Sequence, residues 1–85
     1  MEIEYTIQAK ADLDFWKNSN NISVLKKIRK LIEAIVQDPY RGIGKPEALK
    51  YDLTGCWSRR INKEHRIIYE VLDDKIIILS LRWHY

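Results

Sequence analysis

Glu47, Arg66 and His84, with Lys45, Lys50 and Arg60 near them, are the residues of this chain best suited to chemistry. A carboxylate, a guanidinium and an imidazole form an acid–base set that brings no nucleophile of its own. Such a set suits a substrate that carries its nucleophile, and RNA is one, because its 2′-hydroxyl can attack the adjacent phosphate. That step needs a base for the hydroxyl proton, cations for the charge gathering on phosphate, and an acid for the departing 5′-oxygen. An imidazole exchanges protons near neutral pH, and the planar fork of arginine matches phosphate oxygens without ever losing its charge. Charged strand ends and a polar loop would supply the same letters, so residue types alone leave both readings open.

Other residues weigh less. His65 opens a strand beside a turn and reads as structural. Cys56 reads as a packing residue, since a reactive thiol needs a base partner that the sequence does not offer. Ser58 and Thr54 show no triad spacing. Trp16 fits packing between a helix and a sheet, Trp57 either face of the sheet, and Trp83 either an interior position or a stacking role. One cysteine and two histidines lack any metal-ligand spacing, so neither a metal nor another cofactor is expected.

The elements that must position these residues follow from hydrophobic period. Residues 1–8 alternate Ile3, Tyr5 and Ile7 against Glu2, Glu4 and Thr6, which predicts a half-buried strand. Residues 9–19 shift to helical spacing with Ala9, Leu13 and Trp16. After a turn-rich break at 18–21, Leu25, Ile28, Leu31, Ile32, Ile35 and Val36 mark an amphipathic helix over 22–37 that Pro39 closes. Residues 39–48 form a loop, 49–53 a short strand, 57–62 and 66–72 paired strands around Lys63-Glu64, and 75–84 a last strand after Asp73-Asp74. The Ile- and Leu-rich run from Lys75 to Leu81 reads as central and buried, which would put His84 and Tyr85 at its mouth. The order β-α-α-β-β-β-β predicts an α+β domain, a two-helix hairpin packed on a largely antiparallel sheet.

Size and charge bound the rest. Eighty-five residues make one domain, 1–85, with one core; a chain of this size buries only about 60–65% of its unfolded surface. A hydrophobic content of 46% beside 32% charged residues is that of a folded protein and argues against wholesale disorder. With no signal peptide and no apolar stretch near the length of a membrane span, the chain is expected in the cytoplasm. The net charge of +3 hides an asymmetry: residues 21–66 carry +6, and both flanks are acidic. Clustered cations suit a polyanion, although a solvated helix face would look the same.

Four stretches then extend the reading: Gly44-Lys45-Pro46-Glu47-Ala48-Leu49-Lys50, Leu53-Thr54-Gly55-Cys56-Trp57-Ser58-Arg59-Arg60-Ile61, Glu64-His65-Arg66-Ile67-Ile68-Tyr69 and Arg82-Trp83-His84-Tyr85. Together, in order and over essentially the whole chain, they resemble the YoeB/Txe family of bacterial toxins within the RelE/ParE superfamily. The resemblance implies a RelE-like fold and a ribosome-dependent endoribonuclease that cuts mRNA in the decoding site, leaving a 2′,3′-cyclic phosphate. It implies a general base at Glu47, a general acid at His84, phosphate stabilisation by Arg66 and support from Tyr85. Lys45, Lys50, Arg59 and Arg60 are the expected RNA-binding cations. The implied partners are the 70S ribosome with its mRNA and a cognate acidic antitoxin, YefM/Phd-like or another of the type II class. A homodimer or a toxin–antitoxin hetero-oligomer both fit, and no membrane is involved. Cys56 stands where such proteins often have an aromatic residue, and Trp83 where they often have Tyr; both departures concern packing. Two rivals remain: a ParE-like toxin that inhibits DNA gyrase, which lacks the Glu-Arg-His set, and a non-catalytic module that only binds ribosomal RNA.

Overall fold

Thr6 decides where the first strand stops. Its hydroxyl accepts the Ala9 N–H at 3.0 Å and donates to the Leu79 carbonyl at 2.9 Å, so one side chain caps a helix and ties it to a strand. The computed structural model describes residues 1–82, and in it strand β1 is Glu2–Tyr5 and helix α1 is Ile7–Asn18. Ile7, expected on the strand, is instead the first helical residue and 88% exposed. The cap at Thr6 overrides the alternation there. His84 and Tyr85, together with Trp83, lie outside the described residues.

Asn21 caps the second helix by accepting the Val24 N–H at 3.2 Å. This helix, α2, is Ile22–Gln37 and buries Val24, Ile28, Leu31 and Ile35, the single apolar stripe its spacing predicts. The later strands are β2 Glu47–Ala48, β3 Cys56–Arg60, β4 Arg66–Val71 and β5 Lys75–Ser80. They form one sheet in the order β1-β5-β4-β3-β2. Only the β1–β5 pairing is parallel; the others are antiparallel. The two helices pack on one sheet face, where Ile67, Tyr69, Ile76, Ile78 and Leu81 meet Ala9, Trp16, Ile28, Leu31 and Ile35. The α+β expectation holds, with β5 interior as its composition suggests.

The strand expected over 49–53 is not there. Pairing with β3 covers only Glu47 and Ala48, and the chain then turns through a single 3₁₀ turn at Tyr51–Leu53. The Thr54 hydroxyl donates to the Tyr51 carbonyl at 2.7 Å, and the turn tucks Leu49 and Leu53 onto Cys56 and Ile68. An apolar pair four residues apart is served as well by a turn as by a strand. The turn between β3 and β4 is set by Asn62, whose side-chain oxygen accepts the N–H groups of Glu64 and His65 at 2.9 and 2.8 Å.

Because Thr6 serves both an α1 donor and a β5 acceptor, Thr6→Ala should destabilise the protein by about 1–2 kcal/mol. Urea unfolding followed by circular dichroism measures this directly.

Candidate active site

The loop between α2 and β2 has no regular structure, so its polar backbone must find partners elsewhere. Arg59 supplies them. Its side chain is fully buried, and its guanidinium donates to the Tyr69 hydroxyl at 3.0 Å and to the carbonyls of Ile43, Asp38 and Arg41 at 3.2, 2.6 and 3.0 Å. The Tyr69 hydroxyl in turn donates to the Pro39 carbonyl at 2.6 Å. Burial pushes the Tyr69 phenol up, against the lowering by Arg59, so it stays protonated and keeps donating.

This corrects one expectation. Arg59 was expected among the RNA-binding cations, yet its donors are spent on the loop and on Tyr69 inside the protein. Alternation along β3 is the reason: neighbouring residues of a strand face opposite ways, so Arg59 enters the core while Arg60 is exposed. The sequence carried that signal in its period of two.

Fixed in this way, the loop enters the sheet edge at a defined register. Gly44, at φ +84°, accepts the Arg60 N–H through its carbonyl at 2.6 Å. A Cβ there would stand 2.6 Å from Leu31 Cδ2, so only glycine lets the loop pass so close to α2. Three residues later Glu47 pairs with Ser58, Ser58 with Ile68, and Arg60 with Arg66. Cross-strand partners share a face, so Glu47, Ser58, Arg60 and Arg66 all stand on the face away from the helices. There Arg66 Nη1 lies 3.5 Å from Glu47 Oε1 and 3.3 Å from Ser58 Oγ. Nineteen residues of sequence separate the carboxylate from the guanidinium. The ion pair is loose and partly solvated, worth at most about 1 kcal/mol to the fold, and its open side can meet an anion.

Around the pair, Lys45, Lys50 and Arg60 are exposed. A recess of about 280 Å³ is lined by Glu47, Ala48, Leu49, Lys50 and Tyr51. Tyr51 is 90% exposed and held at φ +59°, a costly backbone for a bulky residue; composition gave no hint of this open ring beside Glu47. A second recess, about 390 Å³, gathers Lys27, Lys45, Arg60 and Lys63. Ser58 joins the site as a partner of Arg66 and not as a nucleophile. His65 is buried with its ring edge-on to Trp16 at 4.8 Å, a packing position. Among the described residues, no group of three His, Cys, Asp or Glu could hold a metal, and no helix is long and apolar enough to cross a membrane. The expected acid His84 and the supporting Tyr85 lie beyond the described residues. In the β4–β5 register Ser80, the last residue of β5, stands opposite Ile68, two residues from Arg66.

Residues 5–85 match the family model described as YoeB-like toxin of bacterial type II toxin–antitoxin system. The Toxin YoeB of a Synechocystis strain is 53% identical over 70 residues, covering 82% of this chain and 81% of the relative. That of Escherichia coli K12 is 40% identical over the whole of both chains. Among solved structures, a YoeB/ParE toxin from Agrobacterium tumefaciens superposes with a TM-score of 0.95 at 37% identity, covering both chains fully. A YoeB–YefM complex from Staphylococcus aureus superposes with a TM-score of 0.88 at 44% identity, and a YoeB dimer from Staphylococcus aureus with a TM-score of 0.90 at 43% identity, each over 100% of this chain and 98% of that one.

Arg59→Lys should destabilise the protein by about 3 kcal/mol, because an ammonium cannot reach four acceptors that the guanidinium fork spans and some remain buried without a partner. Arg60→Lys, on the exposed face, should stay within about 0.5 kcal/mol; thermal unfolding of the two variants side by side measures the contrast. Cys56 gives a further outcome. Burial, then the neighbouring Glu70 carboxylate, pushes its thiol up, which keeps the reactive thiolate scarce at neutral pH. Iodoacetamide at pH 7.5 (about one unit below an ordinary thiol) should therefore alkylate the folded protein far more slowly than the urea-unfolded one.

Proposed function

The chain belongs to the family of YoeB-like toxins of bacterial type II toxin–antitoxin systems, and from that membership we propose that it is a ribosome-dependent endoribonuclease, an mRNA interferase. The shared face of Glu47 and Arg66 carries this reading: a carboxylate and a guanidinium 3.5 Å apart on an open sheet face, with exposed cations around them. In the proposed reaction Glu47 takes the 2′-hydroxyl proton and the 2′-oxygen bonds to phosphorus. Arg66 stabilises the charge on the phosphate oxygens. The bond from phosphorus to the 5′-oxygen breaks, and His84 protonates that oxygen while Tyr85 supports the site. The products are a 2′,3′-cyclic phosphate and a free 5′-hydroxyl. These groups supply every proton and charge the step requires, so no metal enters it.

Lys45, Lys50 and Arg60 are the proposed RNA contacts. The ribosome would hold the message so that the 2′-oxygen lies in line with its leaving group, which is a large part of the barrier. The proposed place of work is the cytoplasm, where ribosomes are. A cognate acidic antitoxin of the YefM kind is the proposed inhibitor, in keeping with the S. aureus YoeB–YefM complex and with the basic middle of this chain. Self-association as in the S. aureus dimer fits as well.

Cleavage of mRNA on purified 70S ribosomes tests the proposal. Glu47→Gln and His84→Ala should each slow cutting by about 10²–10⁴-fold, and Arg66→Ala by about 10²–10³-fold, with unfolding midpoints little changed because Glu47 and Arg66 are a solvated pair. One 2′-deoxy substitution at the scissile nucleotide should stop cutting there. Cutting that persists at the deoxy site would eliminate 2′-hydroxyl attack, and intact messages beside broken DNA in induced cells would favour gyrase as the target.

A further inference from the structure

Backbone strain flanks Glu47 on both sides. The described non-glycine residues at positive φ are Asn20, Lys45 and Tyr51, and the last two bracket this carboxylate in sequence. Asparagine adopts such a conformation readily, whereas an aromatic residue does so only at a cost. The neighbours of Tyr51 impose it. On one side the Leu49 N–H donates to the Cys56 carbonyl at 3.0 Å; on the other, the Thr54 N–H and hydroxyl donate to the Tyr51 carbonyl at 3.1 and 2.7 Å. Leu49 is buried with Cys56 and Ile68, and Leu53 packs against that cluster, so the turn between the two leucines is fixed at both ends. Its tip points to solvent. Tyr51 is 90% exposed, and among the described residues its ring meets no other ring and its hydroxyl has no hydrogen-bond partner.

Glycine would hold this backbone without strain, and a ring so exposed adds nothing to the core. Conformations of this kind gather where a side chain serves a ligand. The ring borders the recess of about 280 Å³ that Glu47 also lines, so an aromatic face and a carboxylate open on one space. In the endoribonuclease reading, on which this inference rests, Glu47 reaches the 2′-hydroxyl of one nucleotide. The base of that nucleotide hangs from the adjoining ribose carbon, which brings it to the same recess. Proteins that hold single-stranded RNA lay unstacked bases flat on aromatic side chains. We infer that Tyr51 is the stacking platform for the base of the nucleotide whose 2′-hydroxyl attacks. Stacking there fixes the ribose, and with it the aim of the 2′-oxygen at phosphorus.

Single-turnover cleavage on 70S ribosomes tests this, with two messages that differ only at the scissile nucleotide. One carries its natural base; the other has an abasic ribonucleotide that keeps the 2′-hydroxyl. On the natural message, at subsaturating ribosomes, Tyr51→Asn and Tyr51→Gly should each cut about 5–100-fold more slowly, the range a lost base–aromatic stack spans. Tyr51→Phe keeps the ring and should stay within about twofold of native. On the abasic message the native protein should slow by a similar factor, and the Asn and Gly variants should lose almost nothing more, since ring and base act as one pair. Asn and Gly both tolerate positive φ, so their unfolding midpoints should be no lower than native. Unchanged cutting by Tyr51→Asn would overturn the inference while leaving the endoribonuclease reading intact. So would equal losses on both messages, a loss in Tyr51→Phe as large as in Tyr51→Asn, or lowered midpoints in both ring-less variants, which would mark a ring that serves the fold. A Glu47→Gln protein that cuts like the native one would instead remove that reading, and the inference with it.

Discussion

A guanidinium buried in the core holds this structure to its working shape. Arg59 leaves water completely, which is costly for a cation. The cost is offset by four hydrogen bonds, three of them to carbonyls of a loop that has no strand or helix to satisfy its backbone. The loop is thereby shaped by a strand residue sixteen or more positions away. Its far end then enters the sheet at Glu47. Loosening the guanidinium would free the segment that carries the carboxylate while leaving the helices and the inner strands with their own contacts.

The sheet separates two tasks by face. Toward the helices it carries the apolar core. On the other face a small cluster of Leu49, Cys56 and Ile68, with Leu53 and Leu79 against it, supports the base of the polar end where Glu47, Ser58 and Arg66 meet. Arg59 and Arg60, adjacent in sequence, divide between the two tasks: one builds the loop and the other stands among the surface cations. A similar economy appears in α1, where one helix supplies core residues such as Ala9 and, through Asp12 and Trp16, polar partners for the end of β5. Polar groups buried with directional partners fix where backbone goes, which apolar packing alone leaves looser.

Several elements were legible before any coordinates. The stripe of α2 and the dense β-branched run of β5 each repeat one period over many residues, and long repetition is what makes a period readable. The end of the first strand, which the alternation carries through Ile7, and the expected strand over 49–53 differ from the structure for the opposite reason. Both depend on single polar side chains, Thr6 and Thr54, whose hydrogen bonds end one element or close a turn, and a window of apolar spacing does not register a hydroxyl. The burial of Asp12 is not legible in the sequence, because nothing there says that the amide of Leu81, sixty-nine residues later, would need it.

The sequence by itself determined the residue types, the periods of the helices and inner strands, the resemblance to a toxin family and the candidacy of Glu47, Arg66 and His84. Which face each side chain takes at a sheet edge, the closeness of Glu47 to Arg66, the burial of Arg59 beside an exposed Arg60 and the grip of α1 on Leu81 were decided only by tertiary structure. The physical reason is range. Propensity and periodicity act over a few neighbours along the chain, whereas strand register and buried hydrogen bonds are set by groups that meet only once the chain has closed upon itself.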